Sequence, residues 1–413
     1  MKNKNFLIIV IGQIISLFGN AIQRFSMSLY LLEFTGSTAS FANILAISTI
    51  PYVIFAPIAG KIADSINRKK IMVYLDLFAS AVVGIYAITL FNNRDSEFIV
   101  GIVMFLLSIC YTLYSPAVTA SIPQVVTGDK LTSANGIINQ VGSIVNFAGP
   151  IVAGIIYGLI GIKFIVVLNA ISFLLSACME LFLDIPDVSS EDDEKVISLN
   201  FIKKSFIDMK QGYVYLKTEK KTIMWIIASY ACCNIFLVPI LSIVAPYFIN
   251  VLLKLPSQVY GIVESICVLG MILGGLWISF KPNKFSMNKL HNTYYPMIIG
   301  SIIIAVIGMI NIDRYGKALM FSIGGMAIML SLALSNVLTL TFIQKEIDSN
   351  RLGRIMAFSN AIATISVAPG QLLFGQIIEV GIPLGMIFLI SLLLNIVLVL
   401  FIKINISNTV IKD

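Results

Sequence analysis

The chain has 413 residues, 58% of them hydrophobic and 12% charged, with a mean hydropathy of +0.94. Soluble globular domains are about half apolar and about a quarter charged, so a soluble enzyme is excluded. The formal charge of +7 comes from 28 Lys and Arg against 21 Asp and Glu, but these lie in short clusters between apolar runs rather than along one face with interleaved aromatics, which argues against a nucleic-acid partner.

Breaking the apolar runs at clusters of charge, Pro and Asn predicts twelve membrane spans, near residues 6–32, 40–60, 71–91, 98–120, 136–160, 164–183, 222–248, 259–280, 293–311, 317–342, 355–378 and 384–402. Span 1 carries Gln13, Asn20, Gln23 and Arg24 and is followed by no small-x-small cleavage site, so it reads as a membrane helix and not a signal peptide. Positive charge gathers on the cytoplasmic side of a membrane protein. With this segmentation one side holds 22 Lys and Arg and the other five, Arg24 inside span 1 completing the set. Both termini are therefore expected in the cytoplasm. The excess of Lys over Arg, with abundant Ile and Asn, fits an AT-rich genome and a bacterial cytoplasmic membrane.

The stretch 184–221 divides the predicted spans into an N-terminal six-helix bundle (1–183) and a C-terminal one (222–413). Within it Leu199, Ile202, Phe206, Met209, Tyr213 and Leu216 recur every three or four residues, with Lys203, Lys204, Lys210 and Lys217 between them. That is an amphipathic-helix pattern, suited either to lying on the anionic lipid of the inner leaflet or to a solvated tether. An internal repeat follows: Ser121–Leu131 before span 5 and Thr341–Leu352 before span 11, at an offset of about 220 residues, each leading into a helix expected to break near its middle, at Gly149-Pro150 and Pro369-Gly370. The expected class is an all-α membrane protein of two parallel six-helix halves, an architecture that builds transporters with a substrate site near the midplane between the halves.

The loop between spans 2 and 3 reads Gly60-Lys61-Ile62-Ala63-Asp64-Ser65-Ile66-Asn67-Arg68-Lys69-Lys70. It resembles the signature of the major facilitator superfamily, with Asn67 where Gly is usual, a mild change if the position is left-handed. The resemblance implies a gating motif in which Asp64 meets a helix N-terminus and Arg68 is its fixed-charge partner. In span 5, Gly149-Pro150-Ile151-Val152-Ala153-Gly154 is similar to the antiporter motif of proton-coupled drug exporters, with Ala153 in place of a Gly. Ordinary close packing of small residues is the competing explanation. The Pro123-Gln124 loop and Asp76 resemble the macrolide-efflux branch.

Polar residues in the spans fall into stripes. Gln13, Ser16, Asn20, Gln23 and Arg24 share a face of span 1; Ser108, Tyr111, Ser115 and Thr119 share one in span 4; Ser331, Ser335 and Thr339 share one in span 10; Tyr230 and Asn234 are the weaker pair in span 7. The resemblance places spans 1, 4, 7 and 10 around the substrate cavity. Glu264, within span 8, is a candidate proton carrier or half of an ion pair, because buried ionisable groups are costly and mark function. Asp76 is the second candidate, for coupling or for a gating ion pair, whereas Glu180 at the inner end of span 6 is expected at the membrane interface.

Other chemistry is lacking. Cys110, Cys178, Cys232, Cys233 and Cys267 sit in apolar stretches as small hydrophobes, and His291 is the sole histidine, so no metal site, disulfide or cofactor is expected. There is no nucleotide-binding loop, hence the energy source is an ion gradient. The expected function is secondary-active export, by proton antiport, of amphipathic drug-like or natural-product molecules by a monomer. The rivals are export of an endogenous metabolite, siderophore or lysolipid, and a non-transporting sensor on the same fold.

Overall fold

The computed structural model describes residues 4–126, 130–185, 211–347 and 349–407, and among these the regular structure is entirely helical. The helices are α1 (Lys4–Thr35), α2 (Thr38–Ser65), α3 (Arg68–Phe91), α4 (Glu97–Val125), α5 (Lys130–Glu180), α6 (Lys221–Phe236), α7 (Ser257–Phe280), α8 (Tyr295–Val306), α9 (Arg314–Glu346), α10 (Ser349–Ile365), α11 (Val367–Glu379) and α12 (Leu384–Ile402). Two π-helical stretches, Ile240–Val244 and Tyr247–Leu252, prolong α6, and a 3₁₀ stretch, Met287–Tyr294, leads into α8. Ten helical segments among the described residues are long and apolar enough to cross a membrane. Their outer faces carry bare hydrocarbon, as Phe98 (76% exposed), Leu159 (75%) and Phe280 (79%) show. That is the reverse of a soluble surface, and lipid is the solvent that tolerates it.

Helix starts follow local chemistry. Ser96 accepts a hydrogen bond from Ile99 N at the head of α4, and Asp313 from Tyr315 N and Gly316 N at the head of α9. Asn67 does the same for α3, accepting from Lys70 N at 3.3 Å. Its φ of −54° corrects the expectation of a left-handed turn: Asn serves here as a helix cap. The expected breaks also move. Residues around Gly149-Pro150 remain helical, and α5 instead breaks at Gly161, with φ 69° and ψ −179°. In the second half the break comes at Ser366, between α10 and α11. Pro369, one turn into α11, has no N–H to offer the Ile365 carbonyl four residues back, which frees the chain to bend there.

Two compact units form, Met1–Gly36 with Ile47–Ser205, and Ser37–Ala46 with Phe206–Asp413. In the first, α1 packs along α5, and α3 packs against α4 and α5. One end of this unit is a core of Phe6, Ile9, Met72, Tyr114, Ile122 and Leu183. In the second, α9 packs against α7 and α8, and α6 against α10, α11 and α12. The first residues of α2 belong to this second unit, where Thr38 N donates to Glu379 Oε2 at 2.9 Å and Thr38 Oγ1 to the Gly375 carbonyl at 3.1 Å. A Cβ at Gly375 would collide with Ala42 and with the Thr38 carbonyl, so this approach requires glycine. The amphipathic pattern of the linker falls largely on 186–210, outside the described residues; 211–218 is helical, with Leu216 buried and the Tyr213 ring 6.0 Å from that of Phe358.

The φ/ψ pair at Gly161 belongs to glycine almost alone, and other residues there cost about 1–3 kcal/mol. Gly161→Ala should therefore lower the thermal unfolding midpoint in detergent although a methyl group would meet open space. Gly158→Ala, inside the helix, should leave the midpoint level or raise it. Equal midpoints for the two variants would contradict the break.

Candidate substrate cavity and buried carboxylates

The first unit holds a partly open cavity of about 240 Å³ formed by α1, α2, α4 and α5. Asn20, Gln23, Arg24, Ser108 and Tyr111 line it, with Leu17, Met27, Met104, Leu107 and Val145 as its apolar wall. Two further polar groups, Ser48 and Asn146, complete it. Gln23 is held in place because its Oε1 accepts a hydrogen bond from Asn169 Nδ2 of α5. Arg24 is the one charged side chain of the lining, and among the described residues its guanidinium makes no ion pair. Asn146 sits one turn before Pro150, which leaves the Asn146 carbonyl without its helical partner. The four-residue spacing of Asn146 and Pro150 is present in the sequence, but Asn146 belongs to none of the periodic polar stripes.

The second unit has its own cavity of about 350 Å³. Tyr230, Asn234 and Ser335 line it, together with Asn336, Ser359 and Asn360. The Tyr230 hydroxyl pairs with Thr339 Oγ1, and Asn234 Nδ2 donates to the Ala363 carbonyl at 2.8 Å. Among the described residues no carboxylate lines either cavity. Ser331 lies apart: it is fully buried and donates to the Thr293 carbonyl at 2.7 Å, a helix-to-helix tie. Ser115 is exposed and outside both linings.

The acids are distributed unexpectedly. Glu264 in α7 is half-buried with partners of its own. Asp76 in α3 is 3% exposed. Glu180, the last residue of α5, is fully buried within the protein. The short segment after it, with Leu183 and Ile185 buried, folds over the end of α5, and Tyr114 OH donates to Glu180 Oε1 at 2.5 Å. In the gating motif, Arg68 Nε donates to the Ala63 carbonyl at 3.0 Å. Gly60 and Asp64 lie in the last turns of α2, and the Asp64 side chain falls outside the described residues. In the antiporter motif Gly149, Pro150 and Gly154 are all buried, and a Cβ at Gly149 would stand 3.0 Å from that of Ala21, so small residues bring α5 close to α1. The five cysteines are free thiols. His291 Nδ1 lies 3.0 Å from Ser407 Oγ; partial burial and nearby Lys403 hold its pKa below the usual value.

Lipid-facing helices around polar cavities define a membrane transporter, and residues 9–371 match the Major Facilitator Superfamily. The chain belongs to that superfamily, whose members are transporters and not enzymes. Macrolide efflux protein A of Streptococcus pyogenes is 26% identical to it over 378 residues, covering 88% of this chain and 86% of the relative. Macrolide efflux protein A of Enterococcus faecalis is 26% identical over 337 residues, or 78% and 95% of the two chains. Among solved structures, the nucleoside transporter NupG has a TM-score of 0.76 at 16% identity, with 98% and 99% of the chains covered. A bacterial homologue of the human lysosomal transporter Spinster has a TM-score of 0.74 at 12% identity, with 100% and 98% covered. Identities this low show a shared fold and nothing about cargo.

The geometry separates wet from structural hydroxyls. In a background without the native cysteines, Ser108→Cys should react with a small charged methanethiosulfonate, whereas Ser331→Cys should resist it. Equal labelling of both would contradict the cavity's outline.

Proposed function

We propose that this chain is a secondary-active exporter of amphipathic molecules in a bacterial cytoplasmic membrane, working as a monomer by alternating access and exchanging cargo for protons. Twelve crossings with both termini cytoplasmic fit this reading. The 51 residues of α5 would extend about 75 Å at 1.5 Å per residue, more than twice the ~30 Å hydrocarbon core, and its break at Gly161 supplies a turn between two crossings. The short α8 gains length from the 3₁₀ stretch before it. In this reading the motif from Gly60 to Arg68 gates the cytoplasmic side, and Glu264 and Asp76 are the acids available for coupling.

The observation that carries the proposal is the amphipathic cavity of the first unit, lined by Arg24, which makes no ion pair among the described residues, and by Leu17, Met27 and Met104. It also narrows the cargo. A cation held about 4 Å from Arg24 would be repelled by about 4 kcal/mol at an effective dielectric of ~20, and no lining carboxylate offsets this. A macrolide bearing a protonated amine meets that penalty, whereas a neutral or anionic amphipath does not. This favours the second reading, export or flipping of an endogenous metabolite, siderophore or lysolipid, over export of cationic drugs.

Purified protein in proteoliposomes under an imposed pH gradient, offered macrolides, lipophilic cations and anionic lysolipids in turn, tests this. The expected result is proton flux driven by the anionic class and abolished when the gradient is collapsed. Asp64→Asn should slow that flux while leaving membrane insertion unchanged. Binding without flux would point to the sensor, and flux driven by cations alone would refute the cargo assignment.

A further inference from the structure

Asp76 and Glu180 lie near one another in the interior of the first unit although they come from α3 and the last residue of α5. Each lies within electrostatic range of the other, and Asp76 within range of Tyr114 on α4 as well. Ser176, one turn before Glu180, faces Asp76. The gap is closed by Tyr114, whose hydroxyl donates to Glu180 Oε1 at 2.5 Å and accepts from Gln13 Nε2 of α1 at 3.2 Å. Gly12 on α1 lies beside this group: a Cβ there would be in ordinary contact with Ser176 Oγ at 3.6 Å and Glu180 Oε1 at 3.9 Å. The walls are apolar, since Tyr114 belongs to the cluster of Phe6, Ile9, Met72 and Ile122. Asp76 Oδ2 and Glu180 Oε2 are both buried and unpartnered.

Facing this pair, α1 contributes Gln13 and Gly12, α4 contributes Tyr114 and Cys110, and α5 contributes Ser176. No lysine, arginine or histidine pairs with either acid among the described residues. A carboxylate taken out of water without a countercharge loses several kcal/mol of solvation, and a second anion beside it adds repulsion. Two carboxyls so placed do not ionise together. A purely structural role would be met more cheaply by amides of the same shape.

We propose that Asp76 and Glu180 form a proton-binding pair that takes up and releases the exchanged proton, with Tyr114 and Gln13 as positioning residues. The inference rests on the proton-antiport reading and assigns the coupling to this pair rather than to Glu264. The step is a plain transfer: an O–H bond of one carboxyl breaks as water accepts the proton, and the resulting carboxylate is held by the Tyr114 hydroxyl if it is Glu180 and by Ser176 if it is Asp76.

Infrared difference spectroscopy of the full chain in nanodiscs reads the proton directly and needs no cargo. In the wild type, a carbonyl band of protonated carboxyl, sensitive to deuterium exchange, should persist at neutral pH and disappear under alkaline conditions. Asp76→Asn combined with Glu180→Gln should remove the band, and Glu264→Gln should leave it. Should the double variant not fold, either single variant should move the band's midpoint to lower pH by about one unit, a tenfold change in proton affinity, as repulsion is relieved. Tyr114→Phe should raise the midpoint, because the ionised form loses its donor. The proposal is overturned if the band survives in the double variant, if both acids are ionised throughout the neutral range, or if sodium at constant pH displaces the band. An intact band in a protein that moves no cargo would count against the exporter and not against the pair. Coupled transport by the double variant would do the reverse.

Discussion

Hydrocarbon cannot hydrogen-bond, so each polar side chain on a membrane helix must find a partner inside the protein or on its own backbone. The consequence is visible along the whole chain. Thr112, Ser172, Ser322 and Ser366 turn back to the carbonyl four residues earlier and are thereby silenced. Others tie helices together, as Asn395 does to Ser301 at 2.9 Å and Asn169 to Gln23. Once these are set aside, few groups retain polar capacity that the fold does not use. Among those that do are Arg24 in its cavity and, as the only carboxylate oxygens among the described buried atoms without a partner, Asp76 Oδ2 and Glu180 Oε2.

These two places share their supports. Helix α1 carries Gln13 at the acid pair and Asn20, Gln23 and Arg24 at the cavity. Helix α4 carries Tyr114 at the pair and Ser108 and Tyr111 at the cavity. Gln13 and Asn20 are two turns apart, about 10 Å along the axis, and Tyr111 is one turn from Tyr114. On the proposed role of the pair, a change in its protonation, felt through the Tyr114 and Gln13 hydrogen bonds, would act on two of the four helices that line the cavity.

Much of this was legible in the sequence because hydrophobic runs and helical spacing are local signals. The Asn20, Gln23 and Arg24 stripe and the Ser108 and Tyr111 stripe needed only a period of 3.6 residues. What escaped depends on contacts distant in sequence. Glu180 reads as the end of a span, and so it is, but its burial against Tyr114, 66 residues earlier, depends on a contact its own helix does not announce. Ser331 reads like Ser335, but its tie to Thr293 cannot be inferred from its own helix. Proline marked the second-half break to within three residues, at Ser366 before Pro369. In the first half proline misled, because α5 accommodates Pro150 and breaks at a glycine whose φ no sequence pattern announces.

The most direct test of this account is equilibrium binding, in nanodiscs, of dodecyl amphiphiles that differ only in head group: phosphate, uncharged sugar and trimethylammonium. A cavity with one unpaired arginine and no carboxylate should bind the phosphate most tightly and the ammonium least. In Arg24→Gln the advantage of the phosphate should fall by about tenfold or more, the ~1.5–3 kcal/mol of a charged hydrogen bond, with the sugar little changed. Tightest binding of the ammonium by the wild type, or an order of affinities that Arg24→Gln leaves untouched, would contradict it.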